Sequence, residues 1–165
     1  MLIVVMGVSG SGKSTLGQAL ARAMGCDFQE GDALHPPANI ASMRAGIALT
    51  DEDRLPWLDR VAAWIAEQRR QHGAGVITCS ALKRSYRDHL RRADAGLRFV
   101  YLQLPRDELQ QRLHQRDHFM PPSLLDSQLR TLEEPAPDEH VLALDGRESI
   151  AAGVTQVRDW LAAAG

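Results

Sequence analysis

Apolar residues recur along this chain in two patterns that alternate from its beginning to its end. In the first pattern, short runs of apolar and β-branched residues predict buried β-strands, because such runs fit a sheet that is covered on both faces. One further run of mixed character predicts a weaker strand. The runs are Leu2–Met6, Gly75–Cys79, Leu97–Leu102 and His140–Leu144, and the weaker one is Asp27–Glu30.

In the second pattern, apolar residues stand three or four positions apart, as they do on one face of an α-helix. In Lys13–Met24, for example, Leu16 and Leu20 are four apart. Strands that alternate with such helices predict an α/β fold with a central parallel sheet and helices on both faces. The other predicted helices are Leu55–Gln71, Pro105–Gln115 and Ile150–Ala163, and a further helix opens near Lys83.

The segment His118–Pro122 interrupts two helical patterns. Phe119 and Met120 form a bulky apolar pair, and the two prolines that follow exclude a continuous helix. The segment is either a surface flap or an ordinary turn between two helices, and the pattern alone leaves both interpretations open.

Length and composition exclude several classes of protein. A chain of 165 residues predicts one domain, and its 19 basic against 21 acidic residues give a net charge of -2. That balance gives no reason to expect nucleic acid or an anionic membrane as a partner, and no apolar run is long enough to span a bilayer. The two cysteines can build neither a disulfide framework nor a four-ligand zinc site, so a reducing cytoplasm is the expected compartment.

The segment Gly7–Ser14 matches the P-loop pattern G-x-x-x-x-G-K-[ST] completely. It follows a predicted strand and opens a predicted helix, which is the context in which backbone N–H groups converge on phosphate oxygens. Lys13 is expected to reach the β- and γ-phosphates, and the Ser14 hydroxyl to bind Mg²⁺. The motif predicts ATP contacts from Gly7, Val8, Ser9, Gly10, Ser11, Gly12, Lys13, Ser14 and Thr15.

The P-loop does not identify the molecule that accepts the phosphoryl group. The chain lacks the N-K-x-D run with which GTPases read guanine, and it is much shorter than motor ATPases. A compact chain with a P-loop at residue 7 points to a small-molecule kinase. A nucleotide-binding switch without a small-molecule acceptor is the alternative from another functional class.

Two acidic residues follow the weak second strand at Glu30-Gly31-Asp32. Residues two apart in an extended chain point the same way, so both carboxylates are expected to face the cleft at the carboxyl ends of the strands. Asp32 is predicted to accept or orient the proton of the attacking hydroxyl, and both acids to hold Mg²⁺-bound water. Thr78-Cys79-Ser80 lacks the acidic Mg²⁺ ligand that many P-loop proteins carry there, so metal binding is expected to rest on Ser14 and this pair. The alternative is that both are solvated loop acids.

Cationic residues are available for an anionic acceptor. The planar, two-pronged guanidinium of Arg54 suits a carboxylate, whereas the acids at 51–53 also fit the first turn of a helix. Lys83, Arg84 and Arg87 lie where a helix is predicted to open, and positive charge there opposes the helix dipole, which favours an anionic ligand nearby. The sequence leaves open which cation contacts the acceptor.

Arg112 and Arg116 lie four residues apart on one helix face that leads into His118–Pro122. Both are expected to bind ATP. Arg116 is further expected to close over the γ-phosphoryl group, where it would stabilise the charge of transfer and help to exclude water. The alternative is that both are solvated helix arginines.

Together these residues resemble the gluconokinase family, the P-loop kinases of D-gluconate. The resemblance extends over nearly the whole chain, and its most specific parts are the His-Pro, Cys-Ser-Ala-Leu-Lys and His-Phe-Met segments. Where relatives often carry Asp-x-Asp, this chain has Glu30-Gly31-Asp32. The matching residues are Gly7–Ser14, Gly31-Asp32, Leu34-His35-Pro36, Asn39, Asp53-Arg54, Pro56-Trp57-Leu58, Cys79-Ser80-Ala81-Leu82-Lys83, Tyr86-Arg87, Arg116, His118-Phe119-Met120, Ser127-Gln128 and Thr131-Leu132-Glu133.

The resemblance implies ATP- and Mg²⁺-dependent phosphorylation of D-gluconate at its terminal hydroxyl, giving 6-phospho-D-gluconate. It also implies a nucleoside-monophosphate-kinase-like fold with a lid around 116–125, adenine contacts near Asp145-Gly146, and commonly a homodimer. A shikimate-type kinase is the nearest alternative, although shikimate kinases carry a glycine triplet where this chain has Cys79-Ser80-Ala81. The residues expected to bind the sugar acid are Asp32, His35, Arg54, Lys83 and Arg87.

Overall fold

A five-stranded parallel sheet forms the centre of the molecule, in a computed structural model that describes residues 1–115 and 123–164. The strands are β1 (Leu2–Met6), β2 (Phe28–Gln29), β3 (Gly75–Thr78), β4 (Arg98–Gln103) and β5 (Leu142–Asp145). Within these residues every strand pair is parallel, and the order across the sheet is β2-β3-β1-β4-β5. Each of the five predicted runs overlaps a strand, so the predicted α/β class is confirmed.

β1 lies in the middle of the sheet, and its position explains why its sequence is apolar throughout. Leu2, Val4 and Met6 pack into one core cluster, whereas Ile3 and Val5 pack into the cluster on the opposite face. All five residues are at most 1% exposed. A strand that is covered on both faces has no side that could carry polar residues.

Helices cover both faces of the sheet and complete three layers. The α-helices of the described residues are α1 (Lys13–Met24), α2 (Pro37–Arg44), α3 (Asp51–Gln71), α4 (Arg84–Arg91), α5 (Arg106–Gln115), α6 (Leu124–Thr131) and α7 (Ile150–Ala164). Leu20 of α1 and Val157 of α7 pack on one face, and Val61 of α3 and Leu113 of α5 pack on the other. In the described part of the chain, no helix is both long and apolar enough to cross a membrane.

Two helices differ from the sequence prediction. α3 begins at Asp51 rather than Leu55, because Thr50 Oγ1 accepts from Asp53 N at 3.1 Å and Asp53 Oδ2 accepts from Thr50 N at 2.9 Å. This capping box satisfies two backbone donors at the helix end. α2 was not predicted, because the residues that it buries are Asn39 and Met43, and the asparagine interrupts the apolar periodicity.

The predicted lid around 116–125 falls largely outside the described residues, as do Arg116 and the segment His118–Pro122. The described chain resumes at residue 123 and enters α6 directly. Leu124 and Leu125, at the end of the predicted lid, are buried residues of that helix.

Candidate active site

The loop 7–12 joins β1 to α1 and is shaped to hold an anion. Gly12 is the N-cap residue of α1 and has a φ of 97°, a left-handed conformation that glycine adopts far more readily than other residues. Among the described residues no side-chain hydrogen bond caps this helix, and its first turn contains no acidic residue. The N–H groups of the first turn are therefore available to phosphate oxygens.

Lys13 lies between this loop and the acidic pair that follows β2. Its Nζ donates to Val8 O at 3.0 Å, so the side chain folds back across the loop. Burial lowers the pKa of Lys13, while the carboxylates of Asp32 and Glu30 act in the opposite direction. The ammonium group thus lies within electrostatic reach of both carboxylates, which brings the phosphate loop and the predicted acceptor side together.

Glu30 lies between the P-loop serine and the end of β3. Ser14 Oγ donates to one oxygen of its carboxylate, and Thr78 Oγ1 donates to the other at 2.6 Å. Thr78 in turn accepts the N–H of Gly31 at 3.0 Å. Thr78 stands where many P-loop proteins carry an acidic ligand, and here it orients Glu30 toward Ser14 instead.

The oxygen atoms of this corner suit Mg²⁺. The Ser14 hydroxyl and the carboxylates of Glu30 and Asp32 are hard donors of the kind that this ion prefers. In residues 1–115 and 123–164, no group of three or more His, Cys, Asp or Glu side chains could hold a metal ion by itself. That donor set fits an ion that keeps several waters and is bound by one or two carboxylates together with nucleotide phosphates.

Gly31 lets the acidic pair approach β3 closely. A Cβ atom at this position would lie 1.8 Å from Thr78 O, so no side chain fits. Trp57 of α3 donates its Nε1–H to Gly31 O at 2.8 Å and holds the segment from the other side. Asp32 is thereby kept at the carboxyl end of the sheet, in the 3₁₀ turn Gly31–Leu34.

A cleft beside the P-loop, which we call the acceptor cleft, collects most of the residues predicted to contact the acceptor. Asp32, His35 and Arg54 line it together with Lys13. Convergent polar groups in one concave site are typical of small-molecule binding. The other lining residues are Ser9, Met43, Ala48, Leu49, Trp57, Ser80, Leu82, Leu124, Ser127 and Gln128.

His35 lies flat against Trp57 in the wall of the acceptor cleft. The two rings are stacked, with centroids 4.1 Å apart and an interplanar angle of 15°. Burial and the nearby positive charge of Arg54 lower the pKa of His35 to about 4. The imidazole is therefore neutral near pH 7, and it offers hydrogen bonds rather than charge to a ligand.

Arg54 is held in the cleft wall by a chain of polar contacts. Its Nη1 donates to Tyr86 Oη at 3.0 Å, and Tyr86 Oη donates in turn to Asp51. Lys83 Nζ donates to the same carboxylate at 3.0 and 3.2 Å. Because Arg54 is 9% exposed, these contacts orient a guanidinium that has little freedom to move.

The structure does not bring Lys83 into the acceptor cleft. Its ammonium group pairs with Asp51 and lies outside the residues that line the cleft. The hydrogen bond to Asp51 is the largest cause of a raised pKa for Lys83, so this ion pair persists at neutral pH. The predicted contact of Lys83 with the sugar acid stays a prediction, and in this structure Lys83 is linked to Arg54 through Asp51 and Tyr86.

Arg87 also lies outside the residues that line the acceptor cleft, and its predicted contact with the substrate stays a prediction. Its side chain is 0% exposed and forms two hydrogen bonds with Glu139, at 2.7 and 3.1 Å, and a third with Ala81 O at 2.9 Å. Burial acts to raise the pKa of Glu139, but hydrogen bonds from Arg87, Ala136 N and Arg91 outweigh it and lower the pKa to about 2. Arg87 thus supports the turn after β3, where Ala81 has a φ of 46°.

A second cavity, of about 430 Å³, lies on the other side of the P-loop. Ser11, Gly12 and Thr15 form one wall, and the segment after β5, including Gly146, forms the opposite wall. Arg112 joins the two walls, because it donates to Ser11 O at 3.3 Å and to Gly146 O at 3.1 Å. This cavity coincides with the region where adenine contacts were expected.

Sequence and structure comparisons identify the family to which this chain belongs. Residues 2–135 match the family model AAA_33, described as an AAA domain. The chain is 52% identical over 147 residues to a gluconokinase of Gluconobacter oxydans (strain 621H), covering 88% of this chain and 83% of that protein. It is 41% identical to the thermosensitive gluconokinase of Escherichia coli (strain K12), covering 94% of this chain and 84% of that protein. The chain belongs to the gluconokinase family.

The solved structures support the same assignment. The crystal structure of a gluconokinase from Sinorhizobium meliloti 1021 is 50% identical in sequence and superposes with a TM-score of 0.86, covering 97% of this chain and 90% of that one. The predictions of the gluconokinase family and of a P-loop kinase fold are therefore confirmed. A shikimate-type kinase and a nucleotide-binding switch are not favoured.

For this member of the gluconokinase family, the residues predicted from the sequence that line the cleft are Ser9, Lys13, Asp32, His35 and Arg54, and no role was predicted for Gln128. Gln128 of α6 is 8% exposed and accepts the N–H of Ser9 through Oε1 at 2.8 Å, so it joins α6 to the P-loop within the acceptor cleft. The available signal was the Ser127-Gln128 pair among the matching family residues. Arg116 lies outside the described residues, and its predicted role stays a prediction.

Proposed function

We propose that this chain is a gluconokinase that transfers the γ-phosphoryl group of ATP to the terminal hydroxyl of D-gluconate. One observation carries the proposal: in a member of this family, a carboxylate (Asp32) and a buried arginine (Arg54) line the same cleft as the P-loop lysine (Lys13). A general base, an anion-binding group and a phosphate-binding group are the three elements that this reaction requires.

On the phosphate side, the loop 7–15 is proposed to hold the β- and γ-phosphates through its backbone N–H groups. Lys13 would exchange its contact with Val8 O for the phosphate oxygens and neutralise part of the charge that develops during transfer. Arg112 is proposed to contact the nucleotide from the second cavity. Arg116 is proposed to close over the γ-phosphoryl group, as part of a lid around 116–125.

On the acceptor side, Asp32 is proposed to take the proton of the attacking hydroxyl. The new O–P bond forms as the bond between the γ-phosphorus and the β–γ bridging oxygen breaks, and ADP carries away the electron pair of that bond. The gluconate carboxylate is assigned to Arg54, because its guanidinium is a planar donor of permanent charge. His35 is assigned to the hydroxyl groups of the sugar acid, because it is neutral.

Mg²⁺ is proposed to bind with ATP, at the Ser14 hydroxyl and through water at Glu30 and Asp32. When bound, it would neutralise part of the charge on the phosphates. The hydrogen bond of 2.6 Å from Thr78 Oγ1 supports this proposal, because it helps to hold the Glu30 carboxylate beside Ser14.

Three further properties are proposed from the sequence and the family resemblance. The chain is proposed to form one kinase domain over 1–165 and to associate as a homodimer. A cytoplasmic location is proposed because Cys26 and Cys79 are both free thiols. Size-exclusion chromatography with light scattering tests the proposed homodimer directly.

The decisive experiment is ADP formation by the purified protein with ATP and Mg²⁺ against a panel of acceptors. The panel contains D-gluconate, other aldonates, shikimate and nucleoside monophosphates. D-Gluconate is expected to stimulate ADP formation, with one 6-phospho-D-gluconate formed per ADP. If no acceptor stimulates the slow basal hydrolysis, the nucleotide-switch interpretation replaces the proposal.

A further inference from the structure

Asn39, on α2 at the back of the acceptor cleft, contacts two other segments through a single atom. Its Nδ2 lies 2.8 Å from the backbone oxygen of Asp53 and 3.3 Å from His35 Nδ1. Asn39 and His35 are each 6% exposed, so water competes little for these contacts. This arrangement determines the proton position on His35.

The contact with Asp53 O establishes which way round the Asn39 amide lies. A backbone carbonyl oxygen can only accept a hydrogen bond, so the group that faces it is the NH₂ and not the amide oxygen. The second N–H of the same NH₂ group then donates to His35 Nδ1, so Nδ1 must be the acceptor. In a neutral imidazole one nitrogen accepts and the other carries the proton, so the proton lies on Nε2.

The charges around His35 also favour the neutral ring. Protonating Nδ1 would turn an N–H toward the N–H of Asn39, and the guanidinium of Arg54 already disfavours a second positive charge in this wall. The stack on Trp57 sets the plane of the ring. Ring plane, charge and proton position are therefore all determined before a ligand binds.

We propose that Asn39 is a positioning residue that keeps His35 in its Nε2–H tautomer, so that His35 donates a hydrogen bond to a hydroxyl oxygen of the acceptor. The inference rests on the proposed function and deepens it. Arg54 recognises the carboxylate, whereas His35 recognises a hydroxyl on the carbon chain. An acceptor that has no oxygen opposite His35 Nε2 leaves this largely buried N–H without a hydrogen bond. Because an unpaired buried donor costs binding free energy, the site selects for polyhydroxylated acids.

The tautomer itself is measured by long-range ¹H–¹⁵N NMR on protein labelled at histidine, near pH 7.5 and without substrate. The expected spectrum shows His35 with an unprotonated Nδ1 and a protonated Nε2, assigned by the loss of that signal in His35→Phe. A protonated Nδ1, or an imidazolium at this pH, overturns the proposal. Because no substrate is present, this result does not depend on whether the chain phosphorylates gluconate.

Asn39→Leu removes both donors of the amide at similar volume. In this variant we expect the His35 signal to shift toward a mixture of tautomers, while the signal of His89, whose Nε2 contacts Asp59, stays unchanged. The KM for D-gluconate should rise about tenfold, as for the loss of one buried hydrogen bond, and the Kd for ATP should not change. Gln68→Leu, which removes a buried amide of α3 outside the cleft-lining residues, is the matched control and should leave the KM for D-gluconate unchanged.

His35→Phe keeps a ring for the stack on Trp57 and removes the Nε2–H, so it tests the donor without relying on Asn39→Leu folding. It should raise the KM for D-gluconate at least as much as Asn39→Leu does. An unchanged KM in His35→Phe, or an unchanged tautomer in Asn39→Leu, overturns the proposal. Equal losses of ATP and gluconate affinity in Asn39→Leu also overturn it, because they would indicate a general structural role. Wild-type protein without gluconate-stimulated ADP formation would instead contradict the proposed function.

Discussion

The P-loop and the acceptor cleft meet at Lys13, but they are assembled from the chain in different ways. The P-loop takes its phosphate-binding groups from one uninterrupted stretch, 7–15, and most of these groups are backbone N–H. The acceptor cleft takes side chains from the end of β2, from α3, from the turn after β3 and from α6. Outside the P-loop, its lining residues extend over about a hundred positions in sequence, from Asp32 to Gln128.

This difference has a consequence for how each region tolerates change. A backbone cradle depends on local conformation, as at Gly12, and the identity of most of its side chains matters little. The binding properties of a side-chain cleft depend on which polar groups the fold leaves facing it. Arg54 lines the cleft, whereas Arg87 is paired with Glu139 elsewhere. Substitutions on the two sides should therefore separate ATP-dependent from gluconate-dependent effects.

Lys13→Ala should have the largest effect, because it removes the positive charge that would meet the transferred group. We expect kcat to fall by about 1000-fold or more, measured as gluconate-dependent ADP formation at saturating substrates. Arg22→Ala, at the exposed other end of α1, is the control and should retain wild-type turnover. A Lys13→Ala enzyme within tenfold of wild type would contradict the assigned role.

Asp32→Asn should have the next largest effect, because the amide keeps the shape and loses the proton acceptor. We expect kcat to fall by about 100-fold or more, with a smaller change in the KM for D-gluconate. Asp27→Asn, an exposed acid before β2, is the matched control. Near-normal turnover in Asp32→Asn would remove this carboxylate from the proposed mechanism.

Arg54→Ala should weaken the binding of D-gluconate and leave the binding of ATP unchanged. We expect the KM for D-gluconate to rise by about 10- to 100-fold, as for the loss of a charge-assisted hydrogen bond, with the KM for ATP unchanged. Arg60→Ala, on the same helix and exposed, controls for loss of an arginine from α3. Equal losses for both substrates would indicate destabilisation instead.

Tyr86→Phe should raise the KM for D-gluconate less than Arg54→Ala does, because it removes the hydroxyl that holds Arg54 but leaves the guanidinium in place. We expect about a three- to tenfold increase in the KM for D-gluconate. Combined with Arg54→Ala, it should add little further effect, since both act on one contact. Full additivity would show that Tyr86 does not act through Arg54.

Glu139→Gln should have the smallest kinetic effect and a clear effect on stability. It leaves the buried Arg87 without its counter-charge, so the free energy of unfolding in urea should fall by about 3 kcal/mol while the KM for D-gluconate stays the same. The pKa of Glu139 is lowered to about 2, so its stabilising contribution is complete above its ordinary value of 4.5 and is lost as the pH falls from there toward 2.

The wild-type protein should therefore lose stability over that acidic range more steeply than Glu139→Gln does. Asp138→Asn, which affects an exposed pair with Arg84, is the control and should change stability little. If Glu139→Gln raised the KM for D-gluconate as much as Arg54→Ala does, the result would indicate that Arg87 contributes to substrate binding.

The sequence predicted the strands and most helices well, because apolar periodicity reports directly on burial. It missed α2, whose buried face carries Asn39, since a buried amide resembles a surface residue when only hydrophobicity is considered. Its apolar pattern begins only at Leu55, but the alternative that the acids at 51–53 form the first turn of a helix is confirmed by the capping box at Thr50 and Asp53.

Within the site, the sequence predicted which residue types were present better than what each one contacts. Asp32, His35 and Arg54 do line one cleft with Lys13, whereas Lys83 pairs with Asp51 and Arg87 with Glu139. The sequence left open which of the candidate cations contacts the acceptor. The partners that occupy two of them are distant in sequence, so no local pattern could identify them.

By itself, the sequence determined the α/β architecture, the phosphate-binding loop and the family, because these depend on local periodicity and on contiguous motifs. Only the tertiary structure decided which charged groups face the cleft, which side chains contact His35 and how Thr78 directs Glu30 toward Ser14. The physical reason is that charge and hydrogen-bonding capacity are properties of a residue, whereas their availability depends on the atoms that packing places beside them.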